Sequence, residues 1–105
     1  MNLSKANLYP EPDQKLCHSF KGLAHPTRTS VLKTLCIEGE MAMQDLAALH
    51  PLTLGAVSQH LDIMYNANFL KSKKRSPFIL YNLDEEALRE FCESCFQFLM
   101  EIQRK

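Results

Sequence analysis

The sequence predicts a mainly helical domain that carries one small β-hairpin, and three observations predict it. Apolar residues recur at helical spacing in five separate stretches. Between residues 69 and 83 the period switches to that of two short strands. Proline, glycine and short polar capping residues fall at the joints between these segments. A chain of 105 residues is one domain's worth.

Residues 1–12 hold Asn7, Pro10 and Pro12 without any period and read as a loose arm, leaving 13–105 as the folded domain. Asp13 is the expected cap of a first helix, whose face is Leu16, Cys17, Phe20 and Leu23, with Gly22 near its end. His25-Pro26-Thr27-Arg28 opens the second helix, because proline at the first helical position forfeits no intrahelical bond. Val31, Leu32, Leu35 and Cys36 form its apolar side and Gly39 its stop. Glu40-Met41-Ala42 suits a very short strand. A short third helix spans Gln44 to His50, with Leu46, Ala47 and Leu49 inward, and Pro51 ends it. Thr53 caps a fourth helix that runs to about Asn66 and buries Val57, Leu61 and Met64.

Phe69–Lys73 and Phe78–Leu83 then read as strands, joined by Lys74-Arg75-Ser76-Pro77, where Pro77 belongs in the turn or at a strand end. Asp84 caps the last helix. Glu85 and Glu86 fill its first turn, where the dipole favours negative charge. Leu83 and Leu88 fit a hydrophobic staple. Leu88, Phe91, Cys92, Cys95, Phe98, Leu99 and Ile102 make a long apolar stripe along it.

The charge is zero overall but unevenly placed. Residues 46–83 hold four bases against one acid, while residues 84–101 hold six acids against one base. No apolar run approaches the roughly 18 residues of a membrane span, and the first fifteen residues lack the apolar core of a signal peptide. The expected location is the cytoplasm, where Cys17, Cys36, Cys92 and Cys95 would stay reduced.

The third and fourth helices, joined by His50-Pro51-Leu52-Thr53, have the layout of a helix-turn-helix, whose second helix enters a major groove by its N-terminal residues. Thr53, Ser58, Gln59 and His60 offer hydrogen-bonding groups away from Val57 and Leu61, and Gly55 and Ala56 are small enough for close backbone approach. The same residues would serve as the solvent face of an ordinary helix, and His60 as a core or capping group. Lys71, Lys73, Lys74 and Arg75 place four bases within five residues of the hairpin, which suits a wing on the phosphate backbone. A charged edge strand kept soluble would show the same run. Placed directly after a helix-turn-helix, the run reads as the wing. The expected fold is therefore a winged helix-turn-helix of five helices, and the expected partner is double-stranded DNA.

Phe20–Arg28, Asp45-Leu46-Ala47, Val57-Ser58-Gln59-His60-Leu61 and Tyr81-Asn82-Leu83, in this order and spacing, resemble the ArsR/SmtB family of bacterial winged-helix repressors across residues 16–100. The resemblance implies a homodimer built from the first and last helices, with Leu16, Phe20 and the stripe from Leu88 to Ile102 at its interface. It also implies an operator of dyad symmetry and an inducer that the sequence does not identify. His25 stands where the family usually has an acidic cap, which predicts a weaker helix start.

Many members of that family sense metals, and this sequence departs from their patterns. Where one family site has Cys-x-Cys this chain has Met41-Ala42-Met43, and neutral thioethers do not replace thiolates for Zn²⁺ or arsenite. At the other site the matching positions are Glu85, Ala87, Phe98 and Glu101, two of which cannot ligate. No cofactor is expected. Cys17, Cys92 and Cys95 are left as candidates for a soft-metal or thiol sensor, or as small core hydrophobes, Cys36 being assigned to the core. A module that binds protein and has lost DNA binding is the remaining alternative. The four histidines fall on separate elements, and no phosphate loop, nucleophile elbow or zinc-protease spacing occurs, so no enzyme is expected.

Overall fold

A computed structural model describes residues 8–104. The elements in chain order are α1 (Glu11–Leu23), α2 (Pro26–Glu38), β1 (Met41–Ala42), α3 (Met43–Ala48), α4 (Leu54–Asn66), β2 (Leu70–Arg75), β3 (Phe78–Leu83) and α5 (Glu85–Gln103). The three strands form one antiparallel sheet in the order β1-β3-β2, with Met41 opposite Tyr81 and Leu70 opposite Leu83. No described helix is long and apolar enough to cross a membrane.

Local chemistry sets most of the boundaries. The Thr53 hydroxyl accepts a hydrogen bond from the Ala56 N–H at 3.1 Å, and Asp84 Oδ1 accepts one from the Ala87 N–H at 3.1 Å, so both predicted caps are made. Gly39 ends α2 with φ 77°, a left-handed geometry that glycine adopts without a steric penalty, and its N–H donates to the Leu35 carbonyl. Asp13 is not a cap: α1 begins two residues earlier, after Pro10, with Pro12 in the first turn and Glu11 and Asp13 together at the positive end of the dipole. Of the arm expected over residues 1–12, residues 1–7 lie outside the described residues, and Glu11 and Pro12 already belong to α1.

The core has two layers. Val31 and Leu35 of α2, Leu46 of α3, Val57, Leu61 and Met64 of α4, Leu70 of β2 and Tyr81 of β3 form one cluster, so the helix-turn-helix and the hairpin share a single interior. Each such side chain contributes about 1.5–3 kcal/mol on burial. The second layer holds α1 and α5 against that core. Phe91 of α5 packs edge-on to Phe20 of α1 and to the buried Phe69, at centroid distances of 5.7 and 5.2 Å. Gly22 of α1 is buried against Ala67 and Phe69.

Two inward assignments are corrected. Leu49 is exposed, because α3 closes after Ala48 and Leu49 sits at its C-cap. Cys36 is exposed as well: it follows Leu35 directly, and Val31 and Leu35, four apart, take the buried face of α2.

Candidate nucleic-acid interface

Helix α4 divides sharply by face. Val57, Leu61 and Met64 are 0% exposed. Gln59 and Gly55 are exposed while Ala56 and Ser58 are half-buried, so of the groups expected to meet bases Gln59 and Gly55 stand fully outward, and the opposite face is locked into the core. Thr53 is exposed, but its hydroxyl oxygen already accepts the Ala56 N–H. Thr53 therefore fixes where the helix starts, and its O–H remains free to donate. Beside it Leu52 and Leu54 stand exposed, two apolar groups of the kind that meet thymine methyls. Neither carries a hydrogen-bonding group, and the signal that points to them in the sequence is their position on either side of the Thr53 cap.

His60 takes a different direction from Gln59. It is half-buried and lies against His25, ring centroids 4.2 Å apart with planes inclined at 41°. His25 is itself the cap of α2: its Nδ1 accepts the Thr27 N–H at 3.1 Å. The imidazole thus supplies the acceptor that an acidic residue would supply, and the weak helix start anticipated at His25 does not arise.

The hairpin is longer than anticipated. Lys74 and Arg75 belong to β2, paired with Ile79 and Phe78, and only Ser76 and Pro77, joined by a cis peptide, form the turn. Strand alternation puts Lys71, Lys73 and Arg75 on one face and Lys74 on the other, beyond the buried Leu70. β2 is an edge strand, so its cations stand at the free margin of the sheet. Lys73 lies 3.5 Å from the Glu40 carboxylate, the one ion pair among the described residues. Both partners are largely exposed, which makes the pair weak, yet it offsets part of the wing's charge.

The apolar stripe of α5 lies bare. The helix has no buried residue. Phe98 is 40% exposed, Leu99 56% and Ile102 53%. Leu88 and Phe91 are half-buried, Phe91 by its packing on Phe20 and Phe69. A groove of about 440 Å³ runs between α1 and α5, floored by Phe69 and Phe91 and edged by Leu16 and Phe98. Of the thiols, Cys17 and Cys92 are exposed and Cys95 is half-buried. Burial, then the neighbouring Cys92, pushes the Cys95 thiol above its usual value, which disfavours the thiolate a soft metal needs. Among the described residues no three His, Cys, Asp or Glu side chains are grouped so as to hold a metal ion, so a sensor built on Cys17, Cys92 and Cys95 would need ligands from a second copy.

A trihelical core with a helix-turn-helix, followed by a cationic hairpin packed into the same interior, defines a winged helix-turn-helix protein. The comparisons agree. Residues 25–72 match the model of the arsR family of bacterial regulatory proteins. The transcriptional repressor SdpR of Bacillus subtilis is 30% identical over 71 residues, covering 68% of this chain and 78% of that protein. A homolog of the cadmium resistance transcriptional regulatory protein CadC from Staphylococcus aureus is 27% identical over 96 residues, covering 91% and 79%. The solution structure of a homodimeric winged helix-turn-helix DNA-binding domain from Mycobacterium bovis superposes with a TM-score of 0.68 at 20% identity, covering 96% and 90%. The chain belongs to the ArsR family of bacterial regulatory proteins.

Proposed function

We propose that this protein is a transcriptional repressor that binds a dyad-symmetric operator as a homodimer, α4 of each copy reading one major groove and each β2–β3 hairpin gripping the backbone. The observation that carries the reading is the two-sided character of α4, core-locked on one face and open at Gln59 on the other, with Ser58 half-buried at its margin, beside an edge strand of cations. The bare stripe on α5 supports a dimer, and so does the homodimeric state of the Mycobacterium bovis domain. A dimer that presents two α4 helices about 34–36 Å apart matches one turn of DNA. The inducer, if a soft metal, would act through Cys17, Cys92 and Cys95; the relationship to a cadmium-resistance regulator supports testing Cd²⁺ first.

The direct test is a mobility shift on duplex DNA from upstream of the protein's own gene, against scrambled duplex. A discrete complex that prefers its own duplex is expected, and equal affinity for both would refute operator recognition. Within that assay Gln59→Ala should relax the preference at one base pair per half-site, worth about 1–3 kcal/mol if Gln59 pairs bidentately with adenine, while affinity for scrambled DNA stays put. Equal losses on both duplexes would remove Gln59 as a base reader.

The wing makes a separate prediction. Replacing Lys71, Lys74 and Arg75 by Ala should weaken binding to every duplex and flatten the dependence of log K on log salt by about 0.9 for each phosphate no longer neutralised. Lys73→Ala should do somewhat less, since Glu40 offsets part of that ammonium's charge. A triple variant with an undiminished salt slope would show that the hairpin does not touch phosphate.

A further inference from the structure

Two of the four histidines, assigned by sequence to separate elements, touch: the His25 and His60 rings lie 4.2 Å apart, and Arg28 and His50 are near enough to bear on His60 electrostatically. His25 precedes α2, His50 follows α3 in the turn of the helix-turn-helix, and His60 lies in α4. The groups that bear electrostatically on His60 are His25, Arg28 and His50. All are bases, and no carboxylate is among them. Arg28 Nε, His50 Nε2 and His60 Nδ1 are each buried without a hydrogen-bond partner. A charge on the half-buried His60 is therefore poorly accommodated, while His25 beside it is exposed.

A proton would act at two points. At His25 the cap depends on the lone pair of Nδ1, which receives the Thr27 N–H. An imidazolium has two N–H donors and no acceptor, so protonated His25 cannot cap α2. At His60 a positive charge would sit against the His25 ring and beside the Arg28 guanidinium with no anion to offset it. Both events loosen the same seam, where α2 meets the helix that carries Ser58 and Gln59.

We infer that the His25–His60 pair is a positioning device that seats α4 for DNA only when both rings are neutral, so that the protein releases DNA on acidification. The inference rests on α4 being the DNA-reading helix. Its direction is opposite to that of simple electrostatics, since protonated surface histidines strengthen the attraction to phosphate. The linkage agrees in sign. Burial, then His25, Arg28 and His50, holds His60 below its ordinary value of 6.5. The unfolded chain therefore binds more protons in the window just below 6.5, and stability falls as pH drops through it.

The test measures Kd by fluorescence anisotropy for duplex DNA from upstream of the protein's own gene, at pH 7.5, 6.5 and 5.5 and constant ionic strength. Wild type is compared with a His25→Asn, His60→Gln double variant, in which Asn still offers a cap acceptor and neither side chain titrates. Wild-type affinity should fall about tenfold between pH 7.5 and 5.5, within the range of ordinary coupling energies. The ratio of affinities at the two pH values should stay near one in the variant. Wild-type binding that holds or tightens at pH 5.5, or a variant that falls equally, overturns the inference. Thermal midpoints over the same pH series give a reading without DNA: the wild-type midpoint should fall relative to that of the variant, and parallel lines overturn the proton-sensitive seam. Absence of binding at pH 7.5 would instead refute the DNA-reading role of α4, with the midpoints still deciding the seam.

Discussion

Leu99→Glu combined with Ile102→Glu is expected to leave a folded monomer that has lost its operator. Both side chains are more than half exposed in one chain, so a carboxylate there costs the isolated protomer little. At a two-fold interface the same substitutions put four carboxylates into an apolar seam, where each loses hydration. The surroundings make matters worse, because residues 84–101 already hold six acids and one base. Without the partner each half-site must be bound alone. Linking two binding modules typically raises affinity 10²–10⁴-fold, and a loss of about that size is expected in anisotropy. Light scattering should report the monomer mass and circular dichroism an unchanged helix content. A variant that stays dimeric and binds tightly would show that α5 is not the interface.

The elements were legible because their signals are local. Thr53 and Asp84 announce α4 and α5 by chemistry acting over three residues, and both caps form. The spacing of Val57, Leu61 and Met64 defines the buried face of α4 for the same reason. What the sequence concealed is of two kinds. Single-residue orientation at helix ends fails where the end itself moves: Leu49 looks inward only if α3 reaches His50, and α3 stops at Ala48. Long-range meetings leave no periodic trace. His25 and His60 are 35 positions apart and touch. Lys73 finds Glu40 across the sheet, so the charge of the wing cannot be counted from its own residues. Gly22 read as a helix end, yet its role is to let α4 come close.

That close approach gives the second large effect. A Cβ built on Gly22 would lie 2.5 Å from the Ala67 Cβ and 2.9 Å from the edge of the Phe69 ring. Neither neighbour can swing away. The Ala67 methyl is fixed to the backbone at the end of α4, and Phe69 is wedged under Phe91. Any side chain at Gly22 must therefore push α1 off the core, at an overpacking cost of about 1–3 kcal/mol. Alanine would recover up to about 1 kcal/mol of that as a better helix former. Valine recovers less and adds two methyls, so Gly22→Val is expected at the top of the range, near 3 kcal/mol. For a domain of about 100 residues each kcal/mol shifts Tm by about 4–8 °C, and the midpoint should drop by roughly 15 °C. Because α1 also carries Phe20 against Phe91, the loss should weaken dimer formation along with folding. Ala67→Gly removes the nearer obstacle. Combined with Gly22→Ala it should restore part of the stability that Gly22→Ala alone removes, giving a favourable coupling in the double-mutant cycle. Additive losses, or a Gly22→Val midpoint within about 2 °C of wild type, would mean that α1 does not press on α4 at this point.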